Sequence, residues 1–333
     1  DDARHRSTID AAWTEFGDHR SIVAVEELIA LVSTNRVYRM HLDDGSTAIA
    51  KSSNYGSFFL FAEDHDSLHR TNELLAGGPY GRFMANALTL DGRPYVFYDG
   101  EMWAVFYEEV AVRDRLPRVL RPAQVARLGS EIGRFHRACS EIAAAIPPPS
   151  KTAKSDAVNL FDMLGSRNAH DHFGLDQSRL DLVRRQTHRF LVALHESGYD
   201  DWSKMPVLID WNLGNFSVDV DPHDPNSFTL FSRWDYDWFR IESRLLDFYF
   251  LSRVASRTGD RSVFTYGSHT LLEPRFRTFL EAYHQELPLS EAEVRFLPEA
   301  YRFFLLNYVV REGRHFFRYE FWQHLLHDAV DVQ

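Results

Sequence analysis

Residues 207–237 constrain what this chain can be more than any other stretch. They begin Val-Leu-Ile-Asp210-Trp-Asn-Leu-Gly-Asn215, which sets an amide five residues after a carboxylate, and they close on Asp235 and Asp237 in Trp-Asp-Tyr-Asp. Phosphoryl transfer needs such a set. One carboxylate orients a hydroxyl nucleophile, while an Asn and an Asp supply hard oxygen donors for a divalent cation on the phosphates. Between them, Asp219, Asp221, His223 and Asp224 resemble a calcium loop at first sight. The interspersed prolines and Asn226 suit a hairpin turn better, and the glycine and terminal glutamate of an EF-hand are missing. The stretch therefore reads as loop, strand, turn, strand, loop.

The preceding chain supplies what a phosphate site would need. Residues 1–30 read as an acidic helix-like segment, with Val23, Val25, Leu28, Ile29 and Leu31 as apolar positions. From residue 31 the pattern changes to strands. Residues 37–42 alternate, Asp-Asp-Gly-Ser at 43–46 signals a tight turn, and residues 47–51 return to end in Lys51. Lysine is scarce here: Lys51, Lys151, Lys154 and Lys204 are the only four, so Lys51 at a strand end is less readily a chance surface charge. A helix follows over 58–76, closed by Gly77-Gly78. Short strands come next at 87–90, 94–98 and 103–107. Residues 122–145 carry a helical period (Val125, Leu128, Ile132, Phe135, Cys139, Ile142), residues 150–157 form a polar linker, and 158–198 hold one or two more helices. Beyond residue 245 the chain alternates helices whose aromatic rows at 301–322 are mostly core. His324 and His327, three residues apart, have no evident third metal ligand.

Composition narrows the class. At 333 residues the chain can form one large domain or two lobes with a sizeable core. Its net charge of −11 argues against a general nucleic-acid binder. Cys139 is the single cysteine, which excludes disulfide frameworks and cysteine zinc sites and points to a reducing, cytoplasmic setting. No apolar run is long enough for a bilayer, and the first residues do not have the form of a signal peptide.

Taken in order, β-hairpin, strand-end lysine, helix, strands, linker, helix, D-x-x-x-x-N, hairpin and D-x-D resemble the aminoglycoside phosphotransferase and choline kinase superfamily, across roughly residues 30–320. Segments 91–106 and 129–136 resemble its stress-response kinase branch, which phosphorylates serine or threonine. The resemblance implies an α+β, two-lobed protein-kinase-like fold. A small N-terminal antiparallel sheet lobe over 1–107 would bind nucleotide, and a larger, mainly helical lobe over 108–333 would carry catalysis and the acceptor. It implies Asp210 as catalytic base, with Asn215 and Asp235 as magnesium ligands and Asp237 as a second metal contact. Lys51 would reach the phosphates of ATP, Ser33, Thr34 and Asn35 would form the phosphate-covering turn, and Phe106, Glu108 and Val110 would belong to a hinge whose backbone bonds adenine. Asp247, twelve residues after Asp235, matches a structural aspartate. The implied partner is a small-molecule hydroxyl acceptor: an aminoglycoside, amino alcohol, sugar or hydroxy-amino acid.

The chain also departs from that pattern. The family writes His-Gly-Asp where this sequence has Leu208-Ile209-Asp210, and the histidine braces the loop by hydrogen bonding, so Leu208 withdraws that brace. Trp211 and Asn212 replace the family's usual residues. An acid on the helix after Lys51 should pair with it, yet neither Glu63, Asp66 nor Glu73 falls at a convincing spacing. Retention of Lys51, Asp210, Asn215 and Asp235 favours an active phosphotransferase. Two alternatives stay open: a non-catalytic nucleotide-binding pseudokinase or scaffold, and a Ser/Thr protein kinase of the same fold.

Overall fold

In the computed structural model, residues 2–28, 35–259 and 265–332 are described. Helix α1 (Asp2–Phe16) stops at Gly17, whose φ of +73° only glycine adopts freely. The next apolar residues are β-branched and form strand β1 (Ile22–Glu27). The expected helix-like segment through residue 30 is thus confined to α1, and Val23 and Val25 lie on a strand. Strands β2 (Arg36–Leu42) and β3 (Thr47–Ser53) form the expected hairpin, with Gly45 at φ +83° in the turn. Helix α2 (Phe58–Leu75) follows, then the short strands β4 (Thr89–Leu90), β5 (Arg93–Pro94) and β6 (Val96–Tyr98), and finally β7 (Trp103–Glu108). Five of these strands make one antiparallel sheet in the order β1-β2-β3-β7-β6.

The strand period of two decides what each face of this sheet does. Tyr38, Met40, Leu42, Ala48, Ala50 and Phe106 pack with Ile9, Ala12 and Trp13 of α1 into a separate small core. Ile49, Lys51, Val105 and Tyr107, out of step by one, belong to the opposite face, toward the helical part of the chain.

The helical part opens with α3 (Pro122–Ile142) and continues through α4 (Ala153–Leu164), α5 (Ala169–Phe173) and α6 (Gln177–Ser197). Helix α4 begins inside the expected polar linker because Thr152 and Ser155 form a capping box. Strand β8 (Met205–Val207), the hairpin of β9 (Phe216–Asp221) and β10 (Asp224–Arg233), and β11 (Arg240–Glu242) come next. Then follow α7 (Phe248–Ala255), α8 (Pro274–Glu286), α9 (Glu291–Phe304), a π-helical stretch (Leu305–Arg311), α10 (Gly313–Phe316) and α11 (Tyr319–Val332). Helices α3 and α8 pack backbone to backbone. A Cβ at Gly129 would lie 2.3 Å from the Phe279 carbonyl oxygen, and one at Gly133 would lie 2.7 Å from Glu286 Cβ. The hairpin of β9 and β10 absorbs Asp219, Asp221, His223 and Asp224 as turn and strand residues, and Asp221 Oδ1 accepts the His223 amide at 2.8 Å.

Candidate active site

The chain leaves β8 through Leu208, Ile209 and Asp210. Ile209 sits at φ +61°, a region that β-branched residues avoid, at a cost on the order of 1–3 kcal/mol. Asp247 holds it there. Its Oδ1 accepts the amides of Leu208 at 3.0 Å and Ile209 at 2.6 Å, and its Oδ2 meets His136 Nε2 at 2.8 Å. His136 Nδ1 in turn meets the Tyr283 hydroxyl at 2.8 Å, and both His136 and Asp247 are fully buried. The loop, which carries Leu208 at its start, is therefore clamped through its amides by Asp247.

Asp210 Oδ1 accepts the Asn212 amide at 3.2 Å, so the side chain closes a short turn on its own loop. Burial, and next the charge of Asp235, push the Asp210 carboxyl up to about 6, against the pull of Arg233. A carboxylate with affinity for a proton near working pH suits a general base.

Strands β9 and β10 bring Asn215 and Asp235 together. The Trp234 amide donates to the Asn215 carbonyl at 3.1 Å, and Asn215 Nδ2 donates to the Asp210 carbonyl at 3.4 Å. Asp235 is exposed and takes φ +73°. Among the described residues only Asp91, Ile209 and Asp235 are non-glycine residues at positive φ, and two of those three belong to this site. The donors present fit a hard divalent cation, since the Asn215 amide and the Asp235 carboxylate offer oxygen and line one cavity. No group of three or more His, Cys, Asp or Glu side chains able to hold a metal occurs among the described residues, so further ligands would come from phosphate oxygens and water.

That cavity, about 590 Å³, lies between the sheet and these loops. Lys51, Tyr107, Glu108, Glu109, Val110 and Asn35 line it together with Asn215, Asp235 and Asp237. Lys51 is buried, and its Nζ contacts Asp237 Oδ1. Asn35 Nδ2 donates to Asp237 Oδ2 at 2.7 Å, and Ser53 Oγ donates to Asn35 Oδ1 at 2.6 Å. Burial pulls the Lys51 ammonium down to about 8, while the charges of Asp235 and Asp64 hold it up. Asp237 is thus engaged by a lysine and an amide.

Several sequence expectations need correction. Phe106 does not line the cavity. It packs on Trp13 with ring centroids 5.0 Å apart, and its carbonyl accepts the Leu88 amide at 2.8 Å. Glu108 reaches the cavity, but its amide donates to the Asn86 carbonyl at 2.9 Å. Ser33 and Thr34 lie outside the described residues. None of the three acids considered for Lys51 approaches it: Glu63 accepts from Ser150, Asp66 pairs with Arg93 at 3.1 Å, and Glu73 pairs with His69 and Arg70. The acid on that face of α2 is Asp64. It pairs with Lys151 and borders, with Lys51, a second cavity of about 250 Å³ beneath the helix. Burial raises the Asp64 carboxyl, and Lys151 opposes the shift. The signal was present in sequence, because Asp64 follows Phe61 and Leu60 at helical spacing and precedes His65 and Leu68, which marks it as an inward-facing acid.

No protein-family model matches the chain, and no curated protein matches it either. Solved structures do. The chain is similar to the amicoumacin kinase hAmiN in complex with AMP-PNP, Ca2+ and Ami, at 15% identity and TM-score 0.67 over 99% of this chain and 94% of that one. It is similar to a microcompartment-associated aminopropanol kinase, at 16% identity and TM-score 0.63 over 98% and 95%. The gentamicin-APH(2")-IIa complex matches at 11% identity and TM-score 0.60 over 98% and 96%. Identities this low establish the fold alone. No helix among the described residues is long and apolar enough to cross a membrane. The chain has the two-lobed fold of the aminoglycoside phosphotransferase-like kinases, as its ordered motifs led one to expect.

Proposed function

We propose that this chain is an ATP- and magnesium-dependent phosphotransferase that phosphorylates a hydroxyl of a small molecule. The observation that carries this reading is the convergence of Lys51, Asn215 and Asp235 on one cavity beneath the sheet, with the half-buried carboxylate of Asp210 on the adjoining loop. Structural neighbours that act on small-molecule hydroxyls support the same class. A cytoplasmic setting fits the single, buried Cys139.

In this reading Glu109 and Val110 present the backbone that receives the base of the nucleotide, and Lys51 meets its phosphates. Asn215 and Asp235 would hold the cation, which when bound would supply positive charge to the phosphates. Asp210 orients the acceptor hydroxyl in line with the γ-phosphorus. As the new oxygen–phosphorus bond forms and the bond to the β-phosphate oxygen breaks, the hydroxyl proton passes to the Asp210 carboxylate and ADP leaves. The acceptor class that the neighbours suggest is an amine-bearing alcohol, such as an aminoglycoside or an amino alcohol, to which a sugar or hydroxy-amino acid is the runner-up.

One observation favours a second reading. Lys51 is already paired with Asp237, an arrangement that a non-catalytic nucleotide-binding protein could retain. A thermal-shift titration with ATP and Mg2+, followed by ATP turnover against a panel of amino alcohols, aminoglycosides and sugars, separates the two. The phosphotransferase reading expects both an ATP shift that Asp235→Ala strips of its metal dependence and acceptor-stimulated turnover. A shift without turnover across the panel would favour the non-catalytic reading.

A further inference from the structure

Arg233, the last residue of β10, is 1% exposed, and its guanidinium hydrogen-bonds only to main-chain carbonyls among the described residues. Burying a guanidinium is costly unless its donors are matched. Here the match is partial. Nη2 donates to two main-chain carbonyls, that of Asp210 at 2.8 Å and that of Asp235 at 3.3 Å. The guanidinium carbon lies 5.2 Å from the centre of the Trp211 ring, while Nε and Nη1 have no hydrogen-bond partner among the described residues. The Arg233 backbone is pinned as well, because its amide donates to the Phe83 carbonyl at 2.7 Å and its carbonyl accepts the Tyr236 hydroxyl. A side chain chosen for stability alone would not be a buried cation with two idle donors. Replacing such a group by an apolar residue of similar size is often neutral or stabilising.

What Arg233 does achieve is geometric. It joins the loop carrying the base to the loop carrying the metal-binding aspartate, on a chain where Leu208 has no side-chain donor to offer. One joined residue, Asp210, follows the positive-φ Ile209, and the other, Asp235, is itself at positive φ. The Asp247 clamp holds the amides of residues 208 and 209 and leaves the carbonyls of Asp210 and Asp235 to Arg233.

We propose that Arg233 is a positioning residue that ties the base-bearing loop to the metal-binding loop, doing in this chain what the displaced histidine does in the resembling family. The inference rests on the phosphotransferase reading of the cleft.

Arg233→Met and Arg233→Lys test it, with three measurements on each: the unfolding midpoint of the ligand-free protein, the Mg2+ dependence of the ATP thermal shift, and ATP turnover. Arg233→Met is expected to keep or raise the midpoint, since the idle donors disappear with the charge. Its half-saturating Mg2+ should rise about 10-fold, the scale of losing a residue that orients a metal ligand. Its kcat should fall about 100-fold, the scale of misplacing the base by about 1 Å, with the KM for ATP at saturating Mg2+ nearly unchanged. Arg233→Lys, which keeps a donor for one carbonyl, should fall between Arg233→Met and wild type in both respects. A wild-type Mg2+ response and kcat in Arg233→Met would overturn the inference, as would a loss of activity that only tracks a loss of folded protein. If Arg233→Met does not accumulate as folded protein, an unshifted Mg2+ response in Arg233→Lys overturns it. Absence of any ATP shift in the wild type would overturn the phosphotransferase reading and the inference with it, whereas a wild-type shift left unaltered in the variants overturns the inference alone.

Discussion

The two sides of the cleft are built differently. On the helical side, the strained backbone at Ile209, next to Asp210, and at Asp235 is held by fully buried groups: Asp247 with His136 behind it, and Arg233. On the sheet side, Lys51 is held by Asp237, a residue of the cleft itself to which Asn35 also donates, and the acid of α2 is taken by Lys151. The first side is fixed by contacts that a ligand would not touch. The second is satisfied by contacts within the space a phosphate would enter. Preorganisation therefore resides in the helical side, while on the proposed function the sheet side would exchange a carboxylate for a phosphate.

The largest effect that could break this comparison is on Asp247. Asp247→Ala removes the acceptor of two buried amides and the partner of His136, so it should cost about 3–5 kcal/mol in urea denaturation. A loss under about 1 kcal/mol would mean that the helical side is not held as described.

Asp210 comes next, with the opposite sign. Its carboxyl is pushed from 3.8 to about 6 in the folded chain, so its ionisation opposes folding. Wild-type stability should fall as pH rises between those two values and level off above the higher one. Asp210→Asn should then be more stable than wild type by up to about 3 kcal/mol at alkaline pH, and the gain should vanish as the solution is acidified below the ordinary carboxylate range. A gain independent of pH would contradict the assigned cause.

On the sheet side, Lys51→Met removes a buried cation and leaves Asp237 a neutral amide partner in Asn35. Stability is expected to stay within about 1 kcal/mol of wild type or to rise, while ATP affinity falls. A large destabilisation together with unchanged ATP affinity would turn Lys51 into a purely structural charge. The smallest expected effect is that of Ser53→Ala, which removes one hydrogen bond to Asn35 and should cost about 1 kcal/mol by thermal denaturation.

How much of this could be read from sequence follows from locality. The D-x-x-x-x-N loop, the hairpin and the D-x-D pair lie within one short stretch, so their order survives as a pattern. Lys51 was marked by its scarcity and by a strand period that puts it out of step with Ala48 and Ala50. Phe106 was misplaced because β7 is a central strand buried on both faces from Trp103 to Tyr107, so no apolar–polar alternation shows which residues face the cleft. Only its pairing with β3, with Val105 opposite Lys51 and Phe106 opposite Ala50, turns Phe106 toward α1. The choice of Lys151 by Asp64 and of the Asp210 carbonyl by Arg233 depends on contacts between residues 87 and 23 positions apart, which no local pattern encodes. The segment at 22–27 failed for a different reason: six residues of mixed apolar and acidic character fit a strand or a helix, and sheet pairing with β2 decided between them.

The most direct test of the central claim follows the γ-phosphate. Wild-type and Asp210→Ala proteins would be incubated with γ-labelled ATP, Mg2+ and a panel of amine-bearing and neutral alcohols, with nucleotide binding measured in parallel. The expected result is label on an acceptor hydroxyl for the wild type, and transfer slower by about 10²–10⁴-fold for Asp210→Ala at equal nucleotide binding. Equal transfer by the two proteins, or ATP binding by the wild type with no acceptor labelled, would contradict it.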